Sequence, residues 1–164
     1  MPGMTKDELL ERIRTAKAEL DAVLAEIADD IMIGPHPAGE WSGKDQLAHL
    51  AAWQELLLAR MRGIPEEDML GFDPERYATM EIDEINAFLH DRDAPMSLDD
   101  ARAAFGRTYA EVVGLLEAMD PSTLEAPYRA DLPDRPMIDA VVGDTYEHYE
   151  EHLDLLVPLT EVGD

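Results

Sequence analysis

Residues 42–61 read SGKDQLAHLAAWQELLLARM, and this stretch decides the fold class. Ser42 is followed three positions later by Asp45, which is the spacing of a helix-capping box. Residues suited to a helix interior then recur every three or four positions, and Gly63 and Pro65 follow. This pattern predicts an amphipathic helix over 42–62. Its inward stripe consists of Gln46, His49, Leu50, Trp53, Leu57 and Met61.

The same periodicity predicts three further long helices on either side of this one. They are expected over about 5–30, over 97–119 after a second capping pattern at Ser97 and Asp100, and over 136–156. Glycine and proline mark 34–39, 63–76 and 120–135 as loops, and a short helix is expected from Ile82 until just before Asp91. The expected fold is all-α: a four-helix bundle with a short extra helix in the long crossover between its second and third helices.

Length and charge limit the classes of function. The 164 residues favour a single domain over 1–164, because domains average ~150 residues. Lys and Arg number 13 against 37 Asp and Glu, which gives a formal charge of −24. Nucleic acids and anionic membranes bind through basic clusters, so neither is expected as a partner. With no apolar leader or membrane-length apolar stretch, a cytoplasmic protein is expected.

Three histidines carry the predicted chemistry. His148 and His152 lie four positions apart, so both imidazoles share one face of the last helix at a spacing that can clamp one divalent ion. His49 lies on the inward stripe of the second helix, and the two stripes meet in the bundle interior. These residues predict a three-imidazole metal site. His36, between prolines, and His90, at a helix end, are expected as surface residues outside it.

Other interpretations of these residues compete with a metal site. In one, His49 is a core residue bonded to the backbone or to the Thr145 hydroxyl, while His148 and His152 lie at a solvated edge. Residues 148–152 also match the inverted zinc-peptidase string, but only twelve residues follow His152, too few for the helix that carries the remaining ligand. The Glu-x-x-His motif of di-iron bundles is absent, because Thr145 and Tyr149 occupy the glutamate positions.

Polar and aromatic neighbours of the histidines have two interpretations each. Asp45, Gln46 and Asp144 lie about one helical turn before a histidine of the predicted site. They are candidates for acceptors that orient imidazole N–H groups, or for ordinary capping and solvated residues. Trp53 and Tyr149 are candidates for pocket walls, but aromatic residues at helical spacing more often belong to the core.

Two segments carry a resemblance to a known family. Residues 39–53, GEWSGKDQLAHLAAW, and 145–152, TYEHYEEH, resemble the signatures of the DinB-like superfamily of four-helix bundles. The stretches 77–86 and 97–100 are most similar to its DfsB branch. The resemblance spans about 4–156 and implies an up-up-down-down bundle that is frequently a homodimer. It also implies a site for Ni or Zn, whose three histidines His49, His148 and His152 match position by position.

The resemblance also implies a range of activities. Family members include metal-dependent transferases or isomerases that use a small thiol such as mycothiol or bacillithiol, and a self-resistance hydrolase that opens an electrophilic toxin. The chain has no cysteine, so thiol chemistry would need a thiol from a small co-substrate. The DfsB resemblance places Asn86 near the pocket, and Trp53, Asn86 and Tyr149 are the expected pocket residues.

The expected function is therefore that of a metal-binding protein, either a metal-dependent hydrolase or a small-thiol S-transferase. Its substrate would be an electrophilic small molecule, and its cofactor a divalent transition metal, Ni or Zn. The alternative is a non-catalytic protein of the DfsB type that binds or sequesters a small ligand without a functional metal.

Overall fold

The structure, a computed structural model, describes residues 3–162. Its main helices pack as a bundle, which confirms the predicted all-α fold. In chain order the helices are α1 (Lys6–Ala25), α2 (Asp29–Ile33), α3 (Gly43–Met61), α4 (Glu66–Leu70), α5 (Pro74–Ala78), α6 (Ile82–Asp93), α7 (Leu98–Ala118), α8 (Pro121–Glu125), α9 (Met137–Asp144) and α10 (Tyr146–Leu156), and a 3₁₀ turn over Val157–Glu161 follows. None of the helices in this part of the chain combines the length and apolar character that a membrane span requires.

The two predicted capping sites begin two of the main helices. The Ser42 hydroxyl accepts a hydrogen bond from the Asp45 amide at 3.1 Å, and the Ser97 hydroxyl accepts one from the Asp100 amide at the same distance. Each bond satisfies an amide that the first turn of a helix leaves without a partner. As a result, α3 and α7 agree with the predicted 42–62 and 97–119 to within one residue at each end.

The first and last long helices are shorter than predicted. The helix expected over 5–30 ends at Ala25, because Ile27 turns into the core and is only 4% exposed. The chain then forms α2, which packs on the start of α3 at Gly43. A Cβ atom at Gly43 would lie 2.5 Å from the Met32 sulfur, so any larger residue there would displace the Met32 side chain. The last helix is interrupted at Thr145, whose hydroxyl donates to the Val141 carbonyl.

The expected loops contain short helices. Asp73 and Asp120 each cap a helix that begins with the proline next in sequence, so these prolines start α5 and α8. The predicted loops 63–76 and 120–135 therefore include helical turns. The short helix after Met80 also runs through Asp93 and does not stop before Asp91.

Contacts between the main helices fix their directions. The start of α1 contacts the end of α7 through Lys6 and Glu117, and α2, which follows α1, contacts the start of α7 through Asp29 and Arg102. The start of α3 contacts the segment just before α7 through Lys44 and Ala94, and the middles of α3 and α7 meet at Gln54 and Thr108. Gln46–His152 and Arg60–Asp144 join the start of α3 to α10 and its end to α9. The main helices therefore run up, down, down and up. This corrects the up-up-down-down order, because the crossover 62–97 carries the chain back along the bundle and starts α7 beside the start of α3.

A small second core positions one wall of the site. The main core lies between α1, α3, α7 and the last helical segment. On the other side of α3, helices α5 and α6 cover a separate apolar cluster of Ala52, Trp53, Leu56, Tyr77, Ile85 and Leu89. The predicted extra helix therefore packs beside the middle of α3, and this brings Asn86 to Trp53.

Candidate metal centre

The structure brings the three predicted histidines together. His49 lies in the middle of α3, and His148 and His152 lie one turn apart on α10. The ring centroid of His49 lies 5.1 Å from that of His148 and 5.3 Å from that of His152. The centroids of His148 and His152 are 4.8 Å apart. One ring nitrogen from each residue lies within 4.8 Å of the other two. This cluster could hold a metal ion.

Burial keeps the three imidazoles neutral. Removal from water lowers the pKa of His49 to about 4, of His152 to about 3 and of His148 to about 2. Neighbouring imidazoles act in the same direction: His90 on the pKa of His49, and the other rings of the cluster on those of His148 and His152. All three side chains are therefore uncharged near neutral pH. The neutral ring, with a free lone pair, is the form that binds a divalent ion.

Two nitrogens in the cluster have no partner within the described part of the chain. They are Nδ1 of His49 and Nδ1 of His148, both of which are buried. Most buried polar atoms in proteins make a hydrogen bond, so two exceptions on adjacent rings indicate that the cluster accommodates something besides protein. Neutral nitrogen ligands suit Zn²⁺ and Ni²⁺, so the residues present fit such an ion.

Gln46 fixes the tautomer of His152. Its side-chain nitrogen donates to the Trp41 carbonyl at 3.0 Å, and a carbonyl can only accept. The amide oxygen of Gln46 therefore faces Nδ1 of His152, also at 3.0 Å, and that nitrogen must carry the proton. The other ring nitrogen of His152, Nε2, keeps its lone pair for a ligand. Of the three residues expected to orient imidazoles, Gln46 does so.

Asp45 and Asp144 bind other partners. The Asp45 carboxylate contacts Lys44 at 3.0 Å and His90 at 3.3 Å. Asp144 is paired with Arg60 at 2.8 Å, and Arg60 also pairs with Glu66. Burial raises the pKa of Asp144 to about 7, while the Arg60 guanidinium acts against this rise. Of the two interpretations given for these carboxylates, the orienting role is not observed, because basic side chains engage both.

The structure does not contain the central contact of the interpretation in which His49 is a core residue. That interpretation requires His49 to bond to the backbone or to the Thr145 hydroxyl, but that hydroxyl donates to the Val141 carbonyl and His49 Nδ1 has no partner. It also places His152 at a solvated edge, whereas that residue is buried. The Thr145 hydroxyl instead makes the contact to the carbonyl four residues earlier that threonine commonly makes in helices.

The two remaining histidines were expected as surface residues, but the structure holds both in contacts with other parts of the chain. His36 is 6% exposed; its Nε2 lies 2.7 Å from the Leu155 carbonyl and its Nδ1 accepts from the Ala38 amide. The ring therefore ties the loop after α2 to the end of α10. His90 is partly buried and stacks on Trp41 with a centroid distance of 4.7 Å. Neither residue belongs to the three-histidine cluster.

A cavity of about 490 Å³ adjoins the cluster. Trp53 and Asn86 line it as expected, and the Trp53 ring N–H donates to the Asn86 side-chain oxygen at 2.9 Å. Tyr149 does not line it, which corrects the third expected pocket residue. Its hydroxyl donates to Gln54, and its buried ring packs edge-on against Phe105 at 5.7 Å.

Sequence reasoning missed several residues of the cavity wall. Glu151 and Leu155 lie three positions after His148 and His152, so helical spacing could have identified them. Glu40 and Trp41 come from the loop before α3, where periodicity gives no information about direction. Ile82 lines the mouth although it lies at the exposed start of α6.

Comparisons with known proteins agree with this architecture. The structure is similar to that of an uncharacterised protein from Escherichia coli UTI89, with 20% identity over 94% of this chain and 91% of that one and a TM-score of 0.72. It is also similar to the colibactin self-resistance protein ClbS in complex with double-stranded DNA, with 17% identity over 100% of both chains and a TM-score of 0.75. A third similar structure is that of the sibling lethal factor precursor DfsB, with 16% identity over 94% of both chains and a TM-score of 0.74. At these identities the likeness shows the fold alone.

A search among proteins of curated function found no match. A family description, that of the DinB superfamily, matches residues 10–155, which include all three histidines of the cluster and most of the bundle. The match singles out no branch of the superfamily, so the similarity to DfsB stays at the level of the fold. The chain belongs to the DinB superfamily.

Proposed function

We propose that this protein is a metal-dependent enzyme that acts on an electrophilic small molecule, as a hydrolase or as a small-thiol S-transferase. One observation carries the proposal. Three neutral imidazoles from α3 and α10 converge beside a cavity of about 490 Å³, and two of them have a buried nitrogen without a hydrogen-bond partner. His49, His148 and His152 would hold one divalent ion, with Ni²⁺ or Zn²⁺ favoured by the nitrogen ligands.

The residues around the cluster have separate roles in this proposal. A divalent ion held by neutral imidazoles supplies a Lewis acid that lowers the pKa of a water or thiol. Gln46 holds His152 with its proton on Nδ1, which leaves the other nitrogen available. Asn86 presents its amide hydrogens to a substrate, because its oxygen already accepts from Trp53. A reacting thiol would come from a second small molecule, since the chain has no cysteine.

One comparison supports a reactive substrate, and the charge of the chain argues against a polyanionic partner. One similar structure is that of a self-resistance protein against colibactin, which agrees with a role in removing a reactive small molecule. That structure also contains double-stranded DNA, but we do not extend DNA binding to this chain. Its formal charge of −24 would repel a phosphate backbone. We also propose that the protein is a homodimer, which a measurement of its mass in solution would test.

Metal analysis tests the proposal. Protein purified without a histidine tag should contain about one Ni or Zn ion per chain, and His148→Ala should lose it. His90→Ala is the matched control and should keep the metal, because His90 lies outside the cluster. A wild-type chain that binds no metal and melts identically with and without chelator would overturn the proposal. It would favour a non-catalytic protein that binds a small ligand in the same cavity.

Activity is tested next, on the metal-loaded protein. A panel of epoxide and strained-ring electrophiles, each with and without a small thiol, should reveal turnover that a chelator abolishes and that added metal restores. Thiol consumption separates the transferase from the hydrolase. Turnover that chelators leave unchanged would contradict metal dependence, even if the ion binds.

A further inference from the structure

The cavity that the three histidines line also contains acidic side chains, and no Lys or Arg is found among its described lining residues. Glu40, Asp144 and Glu151 are its charged lining residues. The charge of Asp144 is balanced by Arg60 at 2.8 Å, and Arg60 lies behind the wall rather than in it. Glu40 and Glu151 are exposed and take part in no salt bridge found among residues 3–162. Two uncompensated carboxylates therefore face the cavity.

The rest of the wall is largely aromatic and aliphatic. Trp41 and Trp53 line the cavity on the α3 side, Leu155 lies on α10, and Ile82 stands at the start of α6. Ile82 is 63% exposed, the largest exposure among the large apolar side chains of the described residues. An apolar side chain at a cavity mouth gains free energy when a ligand covers it. Trp41 already stacks on His90 and Trp53 already packs against Arg60, so these two rings contribute apolar surface to the cavity.

We propose that the cavity binds small molecules that join an apolar, ring-sized body to a positive charge, and that this is the substrate class of the site. The apolar body lies against the tryptophans and Ile82, and the charge lies near Glu40 and Glu151. Without a bound metal, an anionic molecule is disfavoured, because the cavity wall contains no Lys or Arg that would compensate its charge. The acidic protein as a whole also draws cations towards it.

This inference rests on the proposed function only in treating the cavity as the substrate site. Binding of a cation by the wall requires no metal, and it can be measured after chelation. The two proposals therefore fail separately: a metal-free chain that prefers cations keeps this inference, and a metal-binding chain without that preference keeps only the proposed function.

The chain provides its own reporter for the experiment. It has two tryptophans, and both line the cavity, so intrinsic fluorescence reports on this site. The probes are benzyltrimethylammonium, its uncharged isostere neopentylbenzene and the anion phenylmethanesulfonate, none of which carries an amine or thiol. With chelated protein at low salt, the cation should bind at least about tenfold more tightly than the isostere. Equal affinity, or tighter binding of the sulfonate, would overturn the inference.

Paired charge variants show whether the preference is local. Glu40→Gln with Glu151→Gln should reduce the affinity for the cation to that for the isostere, and should leave the isostere unaffected. Glu147→Gln with Glu150→Gln removes the same charge from exposed positions outside this cavity and should keep the preference. If the control pair of substitutions reduces the affinity for the cation by as much, the preference arises from the net charge of the protein and the proposed subsite is wrong. Circular dichroism verifies that all variants are folded.

Discussion

The side-chain oxygen of Gln46 lies 3.0 Å from Nδ1 of His152, and the nitrogen of the same amide donates to the Trp41 carbonyl. This relationship links a loop carbonyl, a residue of α3 and a residue of α10. Because each contact admits only one donor and one acceptor, the chain fixes both the orientation of the amide and the tautomer of the ring. The ring nitrogen turned away from Gln46 is thereby prepared to accept a ligand.

Loss of this contact should weaken metal binding while leaving the fold intact. We expect Gln46→Leu to reduce the affinity for Zn²⁺ by about 10- to 100-fold, the usual effect of removing a group that orients a ligating histidine. Competition with a fluorescent zinc chelator measures it. Gln46→Glu keeps an acceptor for His152 and should bind Zn²⁺ more tightly than Gln46→Leu. Equal affinity in wild type and Gln46→Leu would show that the contact does not orient the ligand.

The buried histidines should make the metal-free protein sensitive to mild acid. Their folded-state pKa values lie below the ordinary 6.5, so the unfolded chain binds more protons once the pH falls below about 6.5. The stability that the neutral rings provide is complete above that pH and is lost as the pH falls towards the folded values. Each histidine contributes a slope of about 1.4 kcal/mol per pH unit in this range.

Comparison with a variant isolates this effect. The free energy of unfolding is measured with urea, in chelator, between pH 7 and 5. It should depend less steeply on pH for His148→Gln than for wild type, because the variant takes up about one proton fewer on unfolding. Asp144, whose pKa is raised, acts in the opposite direction, but it is present in both proteins and cancels in the difference. Identical slopes would mean that His148 is protonated in the folded state, contrary to its burial.

Tyr149 should matter for stability and not for the metal. Its hydroxyl donates to the Gln54 side-chain oxygen, and the Gln54 nitrogen donates to the Thr108 hydroxyl at 2.6 Å. Tyr149→Phe leaves a buried acceptor without a donor, which should reduce the free energy of unfolding by about 1–3 kcal/mol. Zinc affinity should stay at the wild-type value, because Tyr149 faces away from the cavity.

Tyr109→Phe is the control for this variant. No hydrogen bond among the described residues involves the Tyr109 hydroxyl, so its removal should change stability by less than about 0.5 kcal/mol. Chemical denaturation of both variants measures the difference. A large loss of zinc affinity in Tyr149→Phe would contradict its exclusion from the site.

The case of Tyr149 also shows what periodicity can and cannot predict. Ring direction along a helix follows from spacing, so the convergence of His49 with His148 and His152 could be predicted from sequence. Tyr149 is adjacent to His148 in sequence, but one residue corresponds to ~100° around the helix, which turns its ring towards Gln54.

Other features depend on contacts that periodicity does not encode. The break at Thr145 has no proline at that position to signal it. The directions of the helices could not be predicted from the residue pattern either, because amphipathic spacing is the same in both directions along a helix. The loop residues Glu40 and Trp41 reach the cavity only because His36 and Gln46 hold that loop against α10 and α3.

Arg60 should be the most costly single side chain to remove near the site. It pairs with Glu66 and with Asp144, and Tyr77 donates to the same Glu66 carboxylate. Arg60→Met leaves two largely buried carboxylates without their cation, and we expect a loss of about 3–5 kcal/mol in the free energy of unfolding. Arg14→Met breaks an exposed pair with Glu117 and should cost less than about 1 kcal/mol.

The origin of this cost can be separated from the loss of packing. If the unpaired charges are responsible, adding Glu66→Gln and Asp144→Asn to Arg60→Met should recover much of the stability, because neutral amides need no cation. Thermal melts of the single and triple variants test this directly. A triple variant as unstable as Arg60→Met would instead assign the cost to the packing of the Arg60 side chain against the rings of Trp53 and Tyr128.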